Sequence, residues 1–244
     1  MEILGVIGAR GGSKGVPRKN IRLLGGKPLV YWTIAEAKRS KYINRLIVST
    51  DHQEIAEVAK SFGAEVPFLR PKEISQDLST DVEFFTHALG WLKENESYEP
   101  DMLVRLPPTS PLRTAEDIDL GIKTLLDHPE ADSSRAICES PKHPYKMWKI
   151  QEGSPYLEPF LDESFTGFKD SHNLPRQLFP KVYIHTGAVD VTRPQVIREQ
   201  KSTSGRKCAY FFMQPENSVN IDSETDFQYA EFLMLKRFGQ NGTG

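Results

Sequence analysis

The chain has 244 residues, enough for a full hydrophobic core, and its 38% hydrophobic and 26% charged residues are typical of a globular protein. A net charge of −2 argues against a general nucleic-acid-binding protein, and Cys138 and Cys208 lack disulfide or metal-ligand spacing. The amino terminus lacks a basic signal region and no apolar run reaches membrane-spanning length. We therefore expect a cytoplasmic protein with neither nucleic-acid nor membrane partners.

The first half of the chain alternates short β-type runs with amphipathic helical segments. Strands are predicted at residues 3–7, 45–49, 65–69 and 102–106. Helices are predicted at residues 28–40, 52–62, 80–94 and 114–127. This alternation predicts an α/β fold with a mostly parallel central sheet flanked by helices, in which ligands gather at the carboxyl ends of the strands.

Residues 139–180 interrupt this pattern, because six prolines stand there among aromatic residues without sustained periodicity. Regular structure is predicted again at residues 182–191, 208–213 and about 224–238, followed by a frayed tail at 240–244. We predict one domain over residues 1–244, with an insertion at 139–181.

A glycine-rich, basic loop follows the first predicted strand, with the sequence Ala9-Arg10-Gly11-Gly12-Ser13-Lys14-Gly15-Val16-Pro17-Arg18-Lys19-Asn20. Its small residues let the backbone direct several N–H groups at one anion, and its basic residues would neutralise a triphosphate. Residues 1–50 hold ten Lys or Arg against two Asp or Glu, so the positive charge is local. Neither the kinase P-loop nor the dinucleotide-binding glycine pattern is present. Taken alone, the segment also suits a solvated basic surface loop.

Four motifs, ordered along nearly the whole chain, resemble those of the acylneuraminate cytidylyltransferases. They are the loop at residues 9–20, Pro108-Thr109-Ser110-Pro111-Leu112-Arg113, Pro175-Arg176-Gln177 and Ile221-Asp222-Ser223-Glu224-Thr225-Asp226. The resemblance implies a GT-A-like nucleotidyltransferase fold, CTP as donor, a 3-deoxy-2-ulosonic acid such as a sialic acid as acceptor, Mg²⁺ as cofactor, and a homodimer. The anomeric hydroxyl of the acceptor would attack the α-phosphorus of CTP and release pyrophosphate.

The resemblance assigns triphosphate binding to the loop, through Arg10, Gly11, Gly12, Ser13, Lys14, Lys19 and Asn20. Lys19 is the strongest catalytic candidate, followed by Arg10 and Lys14, because charge builds on the leaving pyrophosphate and the α-phosphoryl oxygens. Arg70, Thr109 and Ser110 are further nucleotide-binding candidates. Arg70 would also suit a charge at the rim of the site, and Ser110 would suit the cap of the next helix.

The acceptor-binding candidates are Pro107, Arg113, Lys146, Arg176 and Thr186. Lys146 and Arg176 are candidates for the acceptor carboxylate, or for ion pairs in a dimer interface formed by the insertion. Many acylneuraminate enzymes have Gln in place of Pro107 and Asn in place of Thr186, and they often have an aromatic residue at position 190, which is Asp here. These differences leave the identity of the sugar open.

Asn220 and Asp222 alternate along the chain, so that they lie on one face of a strand end. The resemblance implies that this face binds Mg²⁺, and many members have aspartate at both positions. Because a neutral amide is a weaker ligand for a hard cation, Asp222 is the main metal candidate and Asn220 the secondary one. An aspartate in front of a helix also suits an N-cap.

Two other functions remain open at this point. One is CMP transfer to an eight-carbon 3-deoxy-octulosonate, although those enzymes usually carry an acidic residue in the loop after the fourth strand and residues 107–113 have none. The other is a nucleotide-binding module that has lost catalysis, which Asn220 motivates. RNA binding is disfavoured, since the basic excess lies in one region without interleaved aromatic residues.

Overall fold

The computed structural model describes residues 1–12 and 14–239, so Ser13 and the predicted tail at 240–244 lie outside the described residues. The strands, in chain order, are β1 (Ile3–Gly8), β2 (Leu23–Leu24), β3 (Lys27–Pro28), β4 (Arg45–Ser49), β5 (Met102–Arg105), β6 (Ser133–Glu139), β7 (Trp148–Ile150), β8 (Leu157–Pro159), β9 (Tyr183–Thr192) and β10 (Cys208–Phe212). The α-helices are α1 (Leu29–Arg39), α2 (Gln53–Ser61), α3 (Asp81–Glu96), α4 (Ala115–Asp127), α5 (Glu163–Thr166), α6 (Pro194–Gln200) and α7 (Glu224–Gly239).

The central sheet has six strands in the order β10-β6-β9-β5-β1-β4. Strand β1 runs parallel to β4 and β5, and β6 runs parallel to β10, whereas β5 and β9 are antiparallel. The sheet is therefore mixed, and helices flank it, which confirms the predicted α/β class. Among the described residues, no helix combines the length and apolar character that crossing a lipid bilayer requires.

Both faces of the sheet are buried, because successive residues of β1 point to opposite sides. Ile3 and Ile7 pack in a cluster that includes residues of α1, α2 and α4. Leu4 and Val6 pack in a second cluster with residues of α3 and α6. With helices on both faces, the strand ends are left to form a site.

Most predicted elements of the first half are confirmed to within two residues at each end. The strand predicted at 65–69 is wrong, since Glu65 and Leu69 form only isolated bridges with Ile47 and Thr50. Pro67 lies between them and lacks the N–H that a continuous ladder would need. Strand β6, helix α6 and the two short hairpins were not predicted. The polar start of β6, Ser133-Ser134-Arg135, hides its β pattern.

Helix α4 begins with a capping box formed by Thr114 and Asp117. The Thr114 Oγ1 accepts a hydrogen bond from the Asp117 N–H at 3.3 Å, and the Asp117 carboxylate accepts one from the Thr114 N–H at 3.0 Å. The alternative that Ser110 caps this helix is therefore wrong. The capping box pairs the backbone N–H groups of Thr114 and Asp117, so the helix needs no cap from Ser110.

The chain divides into two compact units. The first comprises Met1–Ile137 and the chain from His185 onward, and the second is Cys138–Ile184. The second unit contains the antiparallel β7–β8 hairpin, α5 and an aromatic cluster around the buried His143. Because His143 Nδ1 accepts a hydrogen bond from the Tyr145 N–H, its Nε2 carries the hydrogen and donates a hydrogen bond to the Pro180 carbonyl at 3.0 Å. His143 is thus a structural residue.

Candidate active site

The glycine-rich loop follows β1 and forms one wall of a cavity of about 490 Å³, called here the main cavity. It lies at the carboxyl ends of β1 and β5, where an α/β sheet places its ligands. The predicted residues that line it are Arg10, Lys14, Lys19, Asn20, Arg70, Pro107, Thr109, Asn220 and Asp222. Gly11, Gly12 and Ser110 do not line it, and no described position exists for Ser13.

The two ends of the loop are held by hydrogen bonds from residues within the first unit. The Gly11 N–H donates to Asp51 Oδ1 at 2.8 Å, and Asn20 Nδ2 donates to the Arg10 carbonyl at 2.9 Å. Asn20 is only 6% exposed, so its amide is a brace inside the loop as well as part of the cavity wall. A loop fixed in this way needs little reordering when it binds a ligand.

Gly15 lies where the loop meets the segment that carries Asp222. A Cβ atom at Gly15 would lie 2.0 Å from the Asp222 carbonyl oxygen, a separation at which the backbone must shift. Only glycine permits this approach. The contact brings the basic loop and the predicted metal-binding residue to the same edge of the main cavity.

Lys19 extends from the loop towards the same segment, and its side chain is only 13% exposed. Its Nζ donates to the Ile221 carbonyl at 2.7 Å and lies 4.0 Å from Asp222 Oδ1. Burial lowers the pKa of Lys19 below its usual value, Asp222 opposes this shift, and the positive charge of Arg10 adds to it. A confined cation of this kind is well placed to meet developing phosphate charge.

Arg10 and Lys14 both pair with Asp77, a residue that the sequence reasoning missed. The Arg10 Nη2 lies 3.1 Å from Asp77 Oδ1, and Lys14 forms a closer ion pair with the other carboxylate oxygen. The hydrogen bond from Lys14, joined by the charge of Arg10, lowers the pKa of Asp77. Asp77 thus holds two phosphate-binding candidates side by side. Asp77 lies far from the loop in the sequence, and this separation conceals its role.

Arg70 is 7% exposed, so its side chain forms a wall of the main cavity and not its rim. Its guanidinium donates to Ser49 Oγ at 3.0 Å and to the Ser49 carbonyl at 2.5 Å, and it stacks 4.7 Å from the centre of the Phe84 ring. Burial lowers the pKa of Arg70 from its usual value. Fixed by Ser49 and Phe84, this guanidinium is preorganised for an anion.

The predicted site residues in the loop after β5 lie in different environments, some at the main cavity and some in the interior. Thr109 lines the main cavity and accepts a hydrogen bond from the Ile221 N–H through its carbonyl at 2.8 Å. Ser110 is fully buried, and Arg113 is 1% exposed. The Arg113 guanidinium donates to the Ala188 carbonyl at 2.6 Å and to Thr33 Oγ1 at 2.7 Å. The side chains of Ser110 and Arg113 therefore lie in the interior, and their assignments to nucleotide and acceptor binding stay predictions.

The predicted metal residues lie together at the cavity edge. Asp222 is 74% exposed through its side chain and accepts a hydrogen bond from Asn220 Nδ2 at 2.5 Å. Helix α7 is capped by Ser223 and Asp226, so the N-cap alternative for Asp222 is wrong and its carboxylate is not used by the helix. Among the described residues, no group of three or more His, Cys, Asp or Glu could hold a metal ion. One carboxylate and one amide oxygen beside the basic loop have the donor chemistry that Mg²⁺ prefers, and Mg²⁺ takes few protein ligands.

An ionic network that the sequence reasoning missed lies beside the main cavity. Asp190, which is 3% exposed, contacts Arg105 at 3.2 Å, Arg135 at 3.1 Å and His185 Nε2 at 2.6 Å. Burial raises the pKa of Asp190, but the His185 hydrogen bond and the Arg135 charge outweigh it and lower the pKa overall. A charged residue inside the apolar run Ala188-Val189-Asp190-Val191 was the available signal, since buried charges are normally paired.

The other predicted acceptor residues lie in both units. Thr186 belongs to the first unit, where its hydroxyl donates to the Ala136 carbonyl at 3.3 Å. Arg176 belongs to the second, and its guanidinium donates to the Ser140 carbonyl at 2.7 Å and pairs with Glu139 at 3.2 Å. Lys146 is an exposed residue of the second unit. The carboxylate-binding roles of Lys146 and Arg176 stay predictions.

The sequence model of one family, described as cytidylyltransferase, matches residues 4–241 of this chain. The chain belongs to the cytidylyltransferase family. The N-acylneuraminate cytidylyltransferase A of Danio rerio is 32% identical over 98% of this chain and 52% of its own length. The CMP-N,N'-diacetyllegionaminic acid synthase of Campylobacter jejuni is 31% identical over 96% of this chain and 95% of its own length. These relatives confirm the resemblance found in the sequence.

A third relative is the post-translational flagellin modification protein B of Campylobacter coli, which is 29% identical over 97% of this chain and 96% of its own length. Among solved structures, a CMP:2-keto-3-deoxy-manno-octonic acid synthetase in complex with CTP superimposes with a TM-score of 0.70. It is 15% identical and covers 97% of this chain and 100% of its own. That similarity supports the nucleotidyltransferase fold.

Proposed function

We propose that this protein transfers CMP from CTP to the anomeric hydroxyl of a nonulosonic acid, such as a sialic or legionaminic acid, and releases pyrophosphate. The observation that carries the proposal is the convergence of Lys19, Arg10 and Lys14 with Asp222 in one cavity at the strand ends. Relatives named as N-acylneuraminate cytidylyltransferase and CMP-N,N'-diacetyllegionaminic acid synthase support the reaction type.

In the proposed reaction the anomeric hydroxyl loses its proton to solvent and its oxygen forms a bond to the α-phosphorus. The bond from that phosphorus to the bridging oxygen breaks, and its electron pair leaves with pyrophosphate. Arg10 and Lys14 bind the triphosphate. To do so, their side chains leave Asp77 and pair with phosphate oxygens instead. Lys19, whose ammonium is confined beside Ile221 and Asp222, stabilises the charge that develops on the phosphoryl oxygens. The loop positions the reactants, which is the main contribution a protein makes to phosphoryl transfer.

Asp222, with Asn220 as a weaker second ligand, would hold Mg²⁺ in this proposal. The cation would neutralise part of the triphosphate charge. The support is the chemistry of the two side chains and their place beside the basic loop, where substrate phosphates and water would complete the coordination sphere.

Two alternative functions have weaker support than this proposal. An octulosonate acceptor has weaker support, since the synthetase that suggests it is 15% identical and argues for the fold alone. A module without catalysis is motivated by Asn220, and it would bind CTP without releasing pyrophosphate.

We further propose a homodimer in which the second unit contacts the partner subunit. Its support is the exposed apolar side chains of that unit, which include Ile150, Tyr156 and Phe165 at 78%, 71% and 68% exposure. Apolar residues concentrated in this way are typical of interaction surfaces. A cytoplasmic location remains part of the proposal and rests on the cysteine usage.

The experiment that tests the function measures pyrophosphate release with each of the four nucleoside triphosphates and a panel of nonulosonic and octulosonic acids. We expect turnover with CTP and a nonulosonic acid, and loss of turnover when EDTA removes divalent cations. Equal turnover with UTP or ATP, or none with any nonulosonic acid, would contradict the proposal. CTP binding by calorimetry without turnover would favour the binding module.

A further inference from the structure

We propose that Asp77 is an internal counter-ion that competes with phosphate groups for Arg10 and Lys14, and that this competition weakens the binding of pyrophosphate, the product that must leave. The inference rests on the proposed CMP transfer and gives a role to a carboxylate that the chemical step does not use. Three aspartates line the main cavity, namely Asp77, Asp81 and Asp222. Of these, Asp77 pairs with Arg10 and Lys14.

The Asp77 carboxylate divides its two oxygens between two cations of the basic loop. Arg10 Nη2 lies 3.1 Å from Oδ1, and the Lys14 ammonium pairs with Oδ2. Arg10 also donates through Nη1 to the carbonyl of the neighbouring Gln76 at 2.6 Å. A carboxylate and a phosphate offer the same kind of anionic oxygen to such donors. Asp77 and Gln76 therefore occupy donors that the triphosphate would use.

The ion pairs of Asp77 are open to water, so that a ligand can replace the carboxylate without unfolding the loop. The exposed fraction of the side chain is 40% for Asp77, 33% for Arg10 and 82% for Lys14. Exposed ion pairs are weak, and a polyphosphate brings several negative charges against the single charge of a carboxylate. The polyphosphate therefore displaces Asp77, but the competition lowers its affinity.

The segment that carries Asp77 is anchored on both sides, and this keeps the carboxylate close to the loop. Before it, Ser75 Oγ donates to the Pro71 carbonyl at 2.9 Å. After it, Thr80 and Glu83 form the capping box that begins α3. A tethered group has a high effective concentration at its partner. Asp77 can therefore return to its two cations whenever the phosphates dissociate from them.

The test measures the binding of inorganic pyrophosphate by calorimetry in a buffer with Mg²⁺, which requires no acceptor. We expect Asp77→Asn to bind pyrophosphate roughly 3- to 30-fold more tightly than the wild type, as the loss of two competing exposed ion pairs allows. The KM for CTP should fall and product inhibition by pyrophosphate should strengthen, since both ligands use Arg10 and Lys14. Asp77→Glu keeps the charge and should bind pyrophosphate within about threefold of the wild type.

Glu54→Gln is the matched control. Glu54 pairs with Arg18 of the same loop, and this pair lies outside the main cavity. Neutralising Glu54 should change the pyrophosphate affinity by less than about twofold, because water and salt screen its charge. A second control tests the route of the effect. In a Lys14→Gln background, Asp77→Asn should tighten binding by a smaller factor, since one of the two cations is already gone.

Unchanged pyrophosphate binding in Asp77→Asn overturns the inference. Weaker binding overturns it too, because Asp77 would then only hold Arg10 and Lys14 in position for the ligand. Equal tightening in Glu54→Gln, or an undiminished effect in the Lys14→Gln background, would show a general effect of net charge and not a competition at these cations. A wild-type protein that binds neither CTP nor pyrophosphate overturns the proposed function as well.

Discussion

Lys19 carries a positive charge at a buried position. This charge interacts more favourably with a negatively charged transition state than with the free enzyme. Its ammonium has one carbonyl and one distant carboxylate as partners, and the neighbouring Arg10 opposes its protonation. The phosphates of CTP would supply the missing negative charge. We expect Lys19→Ala to lower kcat by roughly 10²- to 10³-fold, with a smaller effect on the KM for CTP. Steady-state pyrophosphate release measures both, and near-normal kcat would reduce Lys19 to a structural residue.

The lowered pKa of Lys19 also predicts a pH dependence. Only the protonated form carries the charge, so activity should fall as the pH rises through a pKa that burial has brought below 10.5. The profile of kcat/KM reports this group in the free enzyme. In Lys19→Arg the alkaline decline should move to higher pH, because a guanidinium stays charged throughout the range. An identical alkaline limb in both enzymes would assign it to another group.

Asp222 and Asn220 make a further prediction about metal dependence. Asp222→Asn should abolish activity at ordinary Mg²⁺, since it removes the carboxylate from the pair. Asn220→Asp adds a carboxylate and should lower the Mg²⁺ concentration for half-maximal activity. Titration of activity with Mg²⁺ measures both, and unchanged titrations would remove the two residues from the metal site.

The sequence predicted the basic side of the site better than its acidic side. Arg10, Lys14 and Lys19 belong to one continuous loop, so their convergence follows from local spacing. Asp77 and Asp190 meet these or other basic residues only through the tertiary fold, and periodicity carries no information about such pairs. The same limit applies to the burial of the Ser110 and Arg113 side chains, because a motif match does not reveal which side chains point inward.

At the scale of elements, the apposition of the loop after β1 and the segment before α7 determines the site. Gly15 permits it, since a Cβ there would lie 2.0 Å from the Asp222 carbonyl oxygen. Gly15→Ala should therefore lower the free energy of unfolding by about 1–3 kcal/mol, as overpacking does. Chemical denaturation measures the loss. Gly12→Ala is the control, because a Cβ at Gly12 meets nothing within 4 Å among residues 1–12 and 14–239, and stability should change by less than about 0.5 kcal/mol.

An equal effect of the two glycine substitutions would show that the close approach is not a constraint.

Elements built on local patterns were predictable, including the helices around residues 28–40 and 114–127. A strand with a polar start and a segment interrupted by proline were not predicted correctly, as β6 and residues 65–69 illustrate. Such segments become strands, or fail to, according to the neighbours that the fold supplies.

At the scale of the whole molecule, the second unit raises the question of what covers its apolar surface. Its hairpin and short helix leave large side chains in water, and a second copy of the chain would bury the same surface on both subunits. Sedimentation should therefore give a dimer. Ile150→Glu, at a residue 78% exposed, should shift the dimer towards monomer, whereas a charge at the exposed Leu78 of the first unit should not.

The dimer makes a sharper prediction if the second unit completes the acceptor site of the partner subunit. Lys19→Ala and Arg176→Ala would each inactivate the enzyme. After subunit exchange, a mixed dimer would contain one site with both defects and one with neither, so activity should return to as much as a quarter of wild type, because about half of the dimers are mixed. If Arg176 serves its own chain, each site keeps one defect and mixing restores nothing. Full activity of Arg176→Ala alone would instead limit this arginine to its contacts with Glu139 and Ser140.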